Sequence, residues 1–276
     1  MSRPIRLKTM QGEDVRPLGL AGNPDTENRF VEEAYRAGVN VYFFYSFSFP
    51  GMVAGLERLL RGKRERVVVA TGTESRDPAR MRAYLDEVRS RLGVDVIDLF
   101  FAEYVSPSDT MDEVLGKGGA IDEIWRWKEA GKVRYVGATA HSRALAVELI
   151  RSGRVEALMH RYNMAHRGAE EVVFPAAEAA GVPVVAFTCT RWGSLLRGHR
   201  DWSGAVPTAA DCYRYVLRHP AVHAALTAPA TMAHLRENLA MLEDDSGPDA
   251  QQVEAWEAYG RLIYGKGDDA FETRWP

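Results

Sequence analysis

Two cysteines, Cys189 and Cys212, are all that this chain of 276 residues carries. They lack metal-ligand spacing and make no disulfide framework, so a reducing, cytoplasmic setting is expected. No apolar run approaches the roughly 18 residues of a membrane span. The opening Met1-Ser2-Arg3-Pro4-Ile5-Arg6 lacks the apolar stretch of a signal peptide. Positive charge is not in excess either. A net charge of -3 and a pI near 6.2 leave no basic footprint for nucleic acid and no polybasic patch for a membrane. No Gly-x-Gly-x-x-Gly follows an early strand-like run, which removes the main support for an open, doubly wound dinucleotide fold.

What is present is an apolar content of 46% against 26% charged residues, enough for a sizeable core. A second feature recurs along the chain: a helix-like stretch ends in Gly and an apolar strand begins one or two residues later. The copies are Gly38-Val39-Asn40-Val41, Gly93-Val94-Asp95-Val96, Gly131-Lys132-Val133, Gly153-Arg154-Val155 and Gly181-Val182-Pro183-Val184. This is the punctuation of an α/β protein with parallel strands. Near-continuous apolar runs, as expected of strands covered on both faces, are Pro17–Ala21, Asn40–Phe44, Arg66–Thr71, Val96–Ala102, Val133–Ala138, Val155–Met159, Pro183–Thr188 and His223–Thr227. Between them, Asp77-Pro78 reads as the start of a helix over Ala79–Arg91, and Thr208 opens another. The expected fold is a single (β/α)8 TIM barrel domain covering about residues 16–242. A polar preface over 1–15 would close its bottom as a hairpin, and a helical tail occupies 243–276. The last helix, about Ala250–Tyr264, either packs outside the barrel or leads a tail with Phe271 and Trp275 over the mouth. Chemistry in such folds sits just past the C-terminal strand ends, here Phe43-Phe44-Tyr45, Thr71-Gly72 and Glu103-Tyr104.

These segments resemble a known family. Gly131-Lys132-Val133-Arg134-Tyr135-Val136-Gly137 is similar to the Gly-Lys-Val-Arg-x-Ile-Gly signature of the aldo-keto reductases. Arg91-Leu92-Gly93-Val94-Asp95-Val96-Ile97-Asp98-Leu99-Phe100 resembles that family's Leu-Gly-x-Asp-Tyr-Ile-Asp-Leu strand. Tyr162-Asn163 and Leu235-Arg236-Glu237-Asn238 stand where the family has Tyr-Asn and Leu-x-Glu-Asn. The resemblance implies a barrel that binds NADP(H) across its C-terminal mouth and reduces carbonyls with an Asp, Tyr, Lys and His tetrad, a general-acid chemistry that needs a tuned pKa.

The chain departs from that tetrad at each position. Aligned on the family's Gly-Ile-Asn-Phe-Phe-Asp-Thr-Ala, the aspartate position is Phe43 and the tyrosine position Ser48. The lysine falls on Gly72 and the histidine on Glu103. A phenylalanine cannot pair a lysine, and a glycine has no amine to lower a phenol's pKa, so the usual carbonyl reduction cannot run as written. The resemblance leaves binding of NADP or NAD open. It sets Phe187 against the ring that stacks on nicotinamide, Thr139 against a carboxamide contact, and Glu237 and Asn238 against adenine contacts. Arg191 lies in the loop after the seventh strand, where it can supply an anion contact.

Glu103 is the leading candidate for catalysis, since burial at a strand end raises a carboxyl's pKa and holds its proton. One branch of the family, which reduces steroid carbon–carbon double bonds, also carries Glu there, though it keeps the tyrosine. Tyr104 and Tyr45 are substitute phenols. Phe43, Phe44 and Phe47, with His141 and Trp192, are candidates for an apolar substrate pocket; the phenylalanines alternatively fill space vacated by the tetrad. His141, His160 and Glu103 share a rim, but neither a metal nor an iron–sulfur cluster is expected. Asp98 should bond within the barrel. Three functions remain open: an NAD(P)H-dependent reductase of a C=C or C=N bond; a redox-neutral tailoring enzyme using Glu103 and Tyr104 for elimination, isomerisation or condensation; and a non-catalytic ligand-binding or regulatory protein. The expected partner is a small-molecule ligand or substrate, with a stable partner complex expected only of the third reading, and oligomeric state is not legible.

Overall fold

The structure, a computed structural model, describes residues 6–243 and 247–266. Eight parallel strands close into a barrel in chain order: β1 (Leu18–Ala21), β2 (Val41–Phe43), β3 (Val68–Thr73), β4 (Ile97–Val105), β5 (Val133–Ala140), β6 (Ala157–Arg161), β7 (Val184–Phe187) and β8 (Val222–Thr227). Closure is made by β1 against β8, with Leu18 opposite Ala225. The helices are α1 (Asn28–Arg36), α2 (Pro50–Lys63), α3 (Pro78–Leu92), α4 (Met111–Leu115), α5 (Ala120–Glu129), α6 (Arg143–Arg151), α7 (Ala169–Ala180), α8 (Ala209–Leu217), α9 (Met232–Leu239) and α10 (Ala250–Tyr264). Among the described residues, no helix is long and apolar enough to cross a membrane.

Local chemistry explains the elements. In α3, the Asp77 side chain accepts from the backbone of Ala79, Pro78 sits in the first turn, and Gly93 ends the helix at φ 64°. That left-handed turn is open to glycine without strain. The buried face of α3 is Met81, Leu85, Val88 and Leu92, a helical stripe laid on the barrel.

Along each strand, alternate side chains point into the lumen or out toward the helices. The lumen holds Ala21, Phe43, Ala70, Leu99, Phe101 and Leu226 among others, a core separate from the larger one between strands and helices. Large and small residues interlock there. A Cβ at Gly137 would fall 2.4 Å from Cδ1 of Phe101, so the phenyl ring occupies the space that the glycine leaves. The floor is sealed as the sequence suggests. Lys8 and Asp14 form an antiparallel bridge, Leu7 joins the lumen core, and Arg134 donates to the carbonyls of Lys8 and Thr9.

Several strands run further toward the mouth than their apolar residues indicate. β4 continues to Val105 and β6 to Arg161, because polar residues stay in the ladder once neighbouring strands supply partners. The final helix packs outside. Tyr259 donates its hydroxyl to the Leu195 carbonyl, and Glu257 pairs with Arg167 and Arg218. A Cβ at Gly260 would stand 2.1 Å from the Met164 carbonyl oxygen, so a glycine lets α10 sit directly on the loop after β6. Phe271 and Trp275 lie outside the described residues.

Candidate active site

The inward register brings Phe43, Gly72, Glu103, Thr139, Phe187 and Ala228 from six strand ends to one cavity of about 690 Å³ at the C-terminal mouth. Glu103 is its chemical centre. It follows Leu99 and Phe101 on the inward face of β4 and is 9% exposed. Its room is made by Gly72: a Cβ there would lie 2.6 Å from both Cγ and Oε1 of Glu103, and 2.5 Å from the Phe101 carbonyl oxygen. The glutamate therefore fills the volume that a side chain on β3 would need.

The hydrogen bonds around Glu103 fix where its proton resides. The Tyr104 backbone N–H, which can only donate, gives to Thr139 Oγ1 at 2.5 Å. The Thr139 hydroxyl proton is then left for Glu103 Oε2, at 3.1 Å. Oε2 is thus an acceptor, and a carboxyl proton belongs on Oε1, which is buried with no hydrogen-bond partner among the described residues. Burial raises the Glu103 pKa to about 8; the Thr139 hydrogen bond and the Arg76 charge oppose this, and Glu74 adds to it. A pKa above neutrality favours the protonated carboxyl at pH 7.

The backbone beside it is strained. β4 shifts register against β5 between Ala102 and Val105, and Tyr104 has φ 53°. Thr188, Arg191 and Trp192, after β7, also have positive φ. Such conformations cost a non-glycine residue about 1–2 kcal/mol each, and three of the four residues line the cavity. Arg76 secures the β4 turn: it donates to the Glu103 carbonyl at 2.8 Å while its Nε pairs with Asp109 at 2.9 Å.

Aromatic rings make the walls. The Phe43 and Tyr45 rings lie 6.0 Å apart, and His141 stands edge-on to Tyr104 at 5.0 Å and to Phe187 at 5.1 Å. At the rim, Tyr45 and Trp192 are 52% and 58% exposed. Burial raises the Tyr45 and Tyr104 phenol pKa values, so both are neutral at pH 7.

Of the residues singled out from sequence, Glu103, Tyr104, Tyr45, Thr139, Phe187, Phe43, His141 and Trp192 meet at this cavity. Five others do not line it. Phe44 points outward, the strand alternation opposing it to Phe43, and is wholly buried against the helices. Phe47 lies 5.4 Å from the Tyr84 ring with the Arg91 guanidinium 4.2 Å from its centroid. Arg191 turns its guanidinium to His166, Ser194 and the Ile263 carbonyl, so it anchors the β7 loop to α10. Glu237 is exposed on α9. Asn238 is buried behind the wall, donating to Thr227 Oγ1, which also accepts from Tyr213. Of the tetrad-aligned positions, Phe43, Gly72 and Glu103 reach the cavity, while Ser48 is exposed away from it.

Residues that sequence reasoning passed over are Glu74, Tyr213 and Cys189 in the lining, and Arg76 behind it. Arg161, next to His160 at the rim, lies two residues beyond inward-facing Met159 on β6 and is buried with its guanidinium 5.7 Å from the Trp192 centroid. Arg76 could not be found from sequence, because its partners come from another loop. His160 bonds the Ala140 carbonyl through Nδ1 at 2.6 Å. Among the described residues no group of three His, Cys, Asp or Glu side chains is placed to hold a metal ion.

Comparison with known proteins agrees with this architecture. A probable aldo-keto reductase 1 from Glycine max is 27% identical over an alignment of 217 residues that covers 67% of this chain and 59% of that protein; the chain therefore spans little more than half of that relative. Among solved structures, the holo form of aldo-keto reductase AKR11C1 from Bacillus halodurans superposes with a TM-score of 0.75 at 18% identity, covering 93% of this chain and 96% of the other. An aldo/keto reductase from Klebsiella pneumoniae in complex with NADP and acetate gives a TM-score of 0.75 at 18% identity, over 94% and 96% of the two chains. The profile of the Aldo/keto reductase family matches residues 18–210, and with the closed barrel this establishes that the chain belongs to that family.

Proposed function

We propose that the protein is a nicotinamide-dependent reductase of a C=C or C=N bond in a small molecule, and that its proton donor is Glu103 in place of the family's tyrosine. The observation that carries this reading is the buried Oε1, which has no hydrogen-bond partner among the described residues and belongs to a carboxyl whose pKa burial raises. A carboxylic acid kept neutral in an apolar site is a competent general acid. The altered tetrad positions agree with it. Gly72 and Glu103 are interlocked, so neither a lysine nor its effect on a phenol belongs to this site.

The fit to a nicotinamide dinucleotide is partial. Phe187 stands in the cavity wall, where a ring can stack on nicotinamide. Asn238 Oδ1 is a buried acceptor with no partner among the described residues, suited to an amino group such as adenine's. Thr139, in contrast, spends its hydroxyl on Glu103 and Tyr104, and Arg191 faces away. NADP in the Klebsiella pneumoniae structure supports the same class of cofactor here. When bound, the reduced nicotinamide supplies hydride. The chain's own part is to hold the substrate among aromatic walls, exclude water, and deliver the proton from Oε1 while Thr139 stabilises Oε2.

Glu103→Gln keeps the shape and removes the acid. Turnover should fall by about 10²–10⁴-fold while NADPH affinity, measured by calorimetry, stays the same. Full turnover in this variant removes Glu103 from the mechanism. The commitment of Thr139 and Arg191 elsewhere favours a second reading, a redox-neutral enzyme using Glu103 and Tyr104 as an acid–base pair. Absence of NADPH and NADH binding at millimolar concentration selects that reading, and NADPH consumption in step with product excludes it.

A further inference from the structure

We propose that the cavity is shaped for an organic cation, an iminium or a cyclic imine that becomes one, with Glu103 and Glu74 as its charge partners. The proposal rests on the reading of this cavity as the catalytic site and narrows its substrate to the C=N class.

The lining carries two glutamates and, among the described residues, no lysine or arginine. Arg76 is bound to Asp109 and to a backbone carbonyl. Arg161 is buried outside the lining, 5.7 Å from the Trp192 centroid. The rest of the wall is rich in π-faces: Phe43, Tyr45, Tyr104, Phe187 and Trp192. Aromatic faces attract cations by about 0.5–2 kcal/mol, more when desolvated, and cages of them recognise quaternary ammonium groups. Two of these rings, Tyr45 and Trp192, are more than half exposed at the rim, where a ligand would cover them. Glu103 Oε1 is a buried polar atom of the same site with no hydrogen-bond partner among the described residues. A neutral alkene would use neither Glu74 nor the rings' affinity for positive charge.

The chemistry balances. The imine nitrogen takes the proton from Oε1; an N–H bond forms, an O–H bond breaks, and a carboxylate is left facing the iminium. A reduced nicotinamide, when bound, would supply the hydride that the imine carbon needs and would leave oxidised, giving an amine. A proton from solvent restores Glu103.

The test uses a permanently charged probe, 2-methyl-3,4-dihydroisoquinolinium, and its neutral carbon counterpart, 3-methyl-1,2-dihydronaphthalene. Binding is followed without cofactor by calorimetry and by quenching of tryptophan fluorescence. The cation should bind about tenfold tighter than the neutral compound. Its affinity should increase from pH 7 to pH 9 as Glu103 ionises; Glu74, Tyr45, Tyr84, Tyr104 and His141 are the other titratable neighbours, with Arg76 and Arg161 fixed cations behind the wall. Glu103→Gln should abolish that increase, and Glu74→Gln, at an exposed position, should weaken the cation about threefold without changing the neutral compound. Equal affinity for the two compounds, or unchanged cation binding in both variants, overturns the proposal. NADPH titration separates the two readings. Binding of NADPH without preference for the cation removes only the cation proposal. Preference for the cation without NADPH binding removes only the reductase.

Discussion

Strand β4 holds a buried carboxyl group near each end, and the two have opposite surroundings. Asp98, on the outward face near the floor, is fully buried and saturated: Arg64 lies 2.7 Å from one oxygen, Arg134 lies 2.6 Å from the other, and the Val69 backbone N–H donates to it. Glu103, on the inward face at the mouth, receives one threonine hydroxyl and leaves Oε1 without a partner among the described residues. A buried charge is tolerated when it is paired, whereas an unpaired carboxyl keeps its proton instead. The floor end of the strand is thus built for stability. On the function proposed above, the mouth end gives up stability for a proton that can be delivered, which is how (β/α)8 barrels divide their two faces.

The first way to break this contrast is Asp98→Asn. It leaves two guanidinium groups facing an amide and should cost about 3 kcal/mol, the lower end for a broken buried pair, because Arg64 and Arg134 retain 16% and 24% side-chain exposure. Thermal unfolding should show the loss, while turnover per folded molecule stays near wild type. The same measurement on Glu103→Gln should show the reverse: no loss of stability and a large loss of turnover.

The second sharpens the contrast through pH. With a folded pKa of about 8 against an ordinary value of 4.5, folded Glu103 binds more proton than unfolded Glu103 between those values. Its contribution to stability is fully present below about pH 4.5 and is lost as pH rises through 8. Stability of the wild type relative to Glu103→Gln should therefore decline across that window, by a few kcal/mol at most. A difference that is flat with pH contradicts the buried, neutral acid.

The smallest effect is expected of Thr139→Val. It removes a hydrogen bond that favours the charged form, so the alkaline fall in turnover should move to higher pH, with about 1 kcal/mol lost in stability. A limb that moves to lower pH, or does not move, shows that Thr139 does not govern Glu103.

Much of this was legible in the sequence. Each helix–Gly–strand join marked a turn, and the floor hairpin and α10 fell where the pattern put them. Glu103 was visible as a carboxylate closing an apolar strand. The errors have physical reasons. Phe44 and Phe47 were grouped with Phe43 by residue type, although alternation along β2 sends Phe43 inward and Phe44 out. Arg191 was assigned an anion by its place in the chain, but the left-handed turn at φ 50° directs its side chain to α10.

The sequence by itself determined the barrel, because strand and helix periods and glycine turns are local properties that every unit repeats. It also determined that Glu103 would stand at the mouth. Only the tertiary structure decided what Glu103 is. Its protonation depends on Gly72 from β3 making room, Thr139 from β5 donating to one oxygen, and no group among the described residues reaching the other. Desolvation and hydrogen bonding are set by neighbours distant in the chain, and no local pattern encodes them.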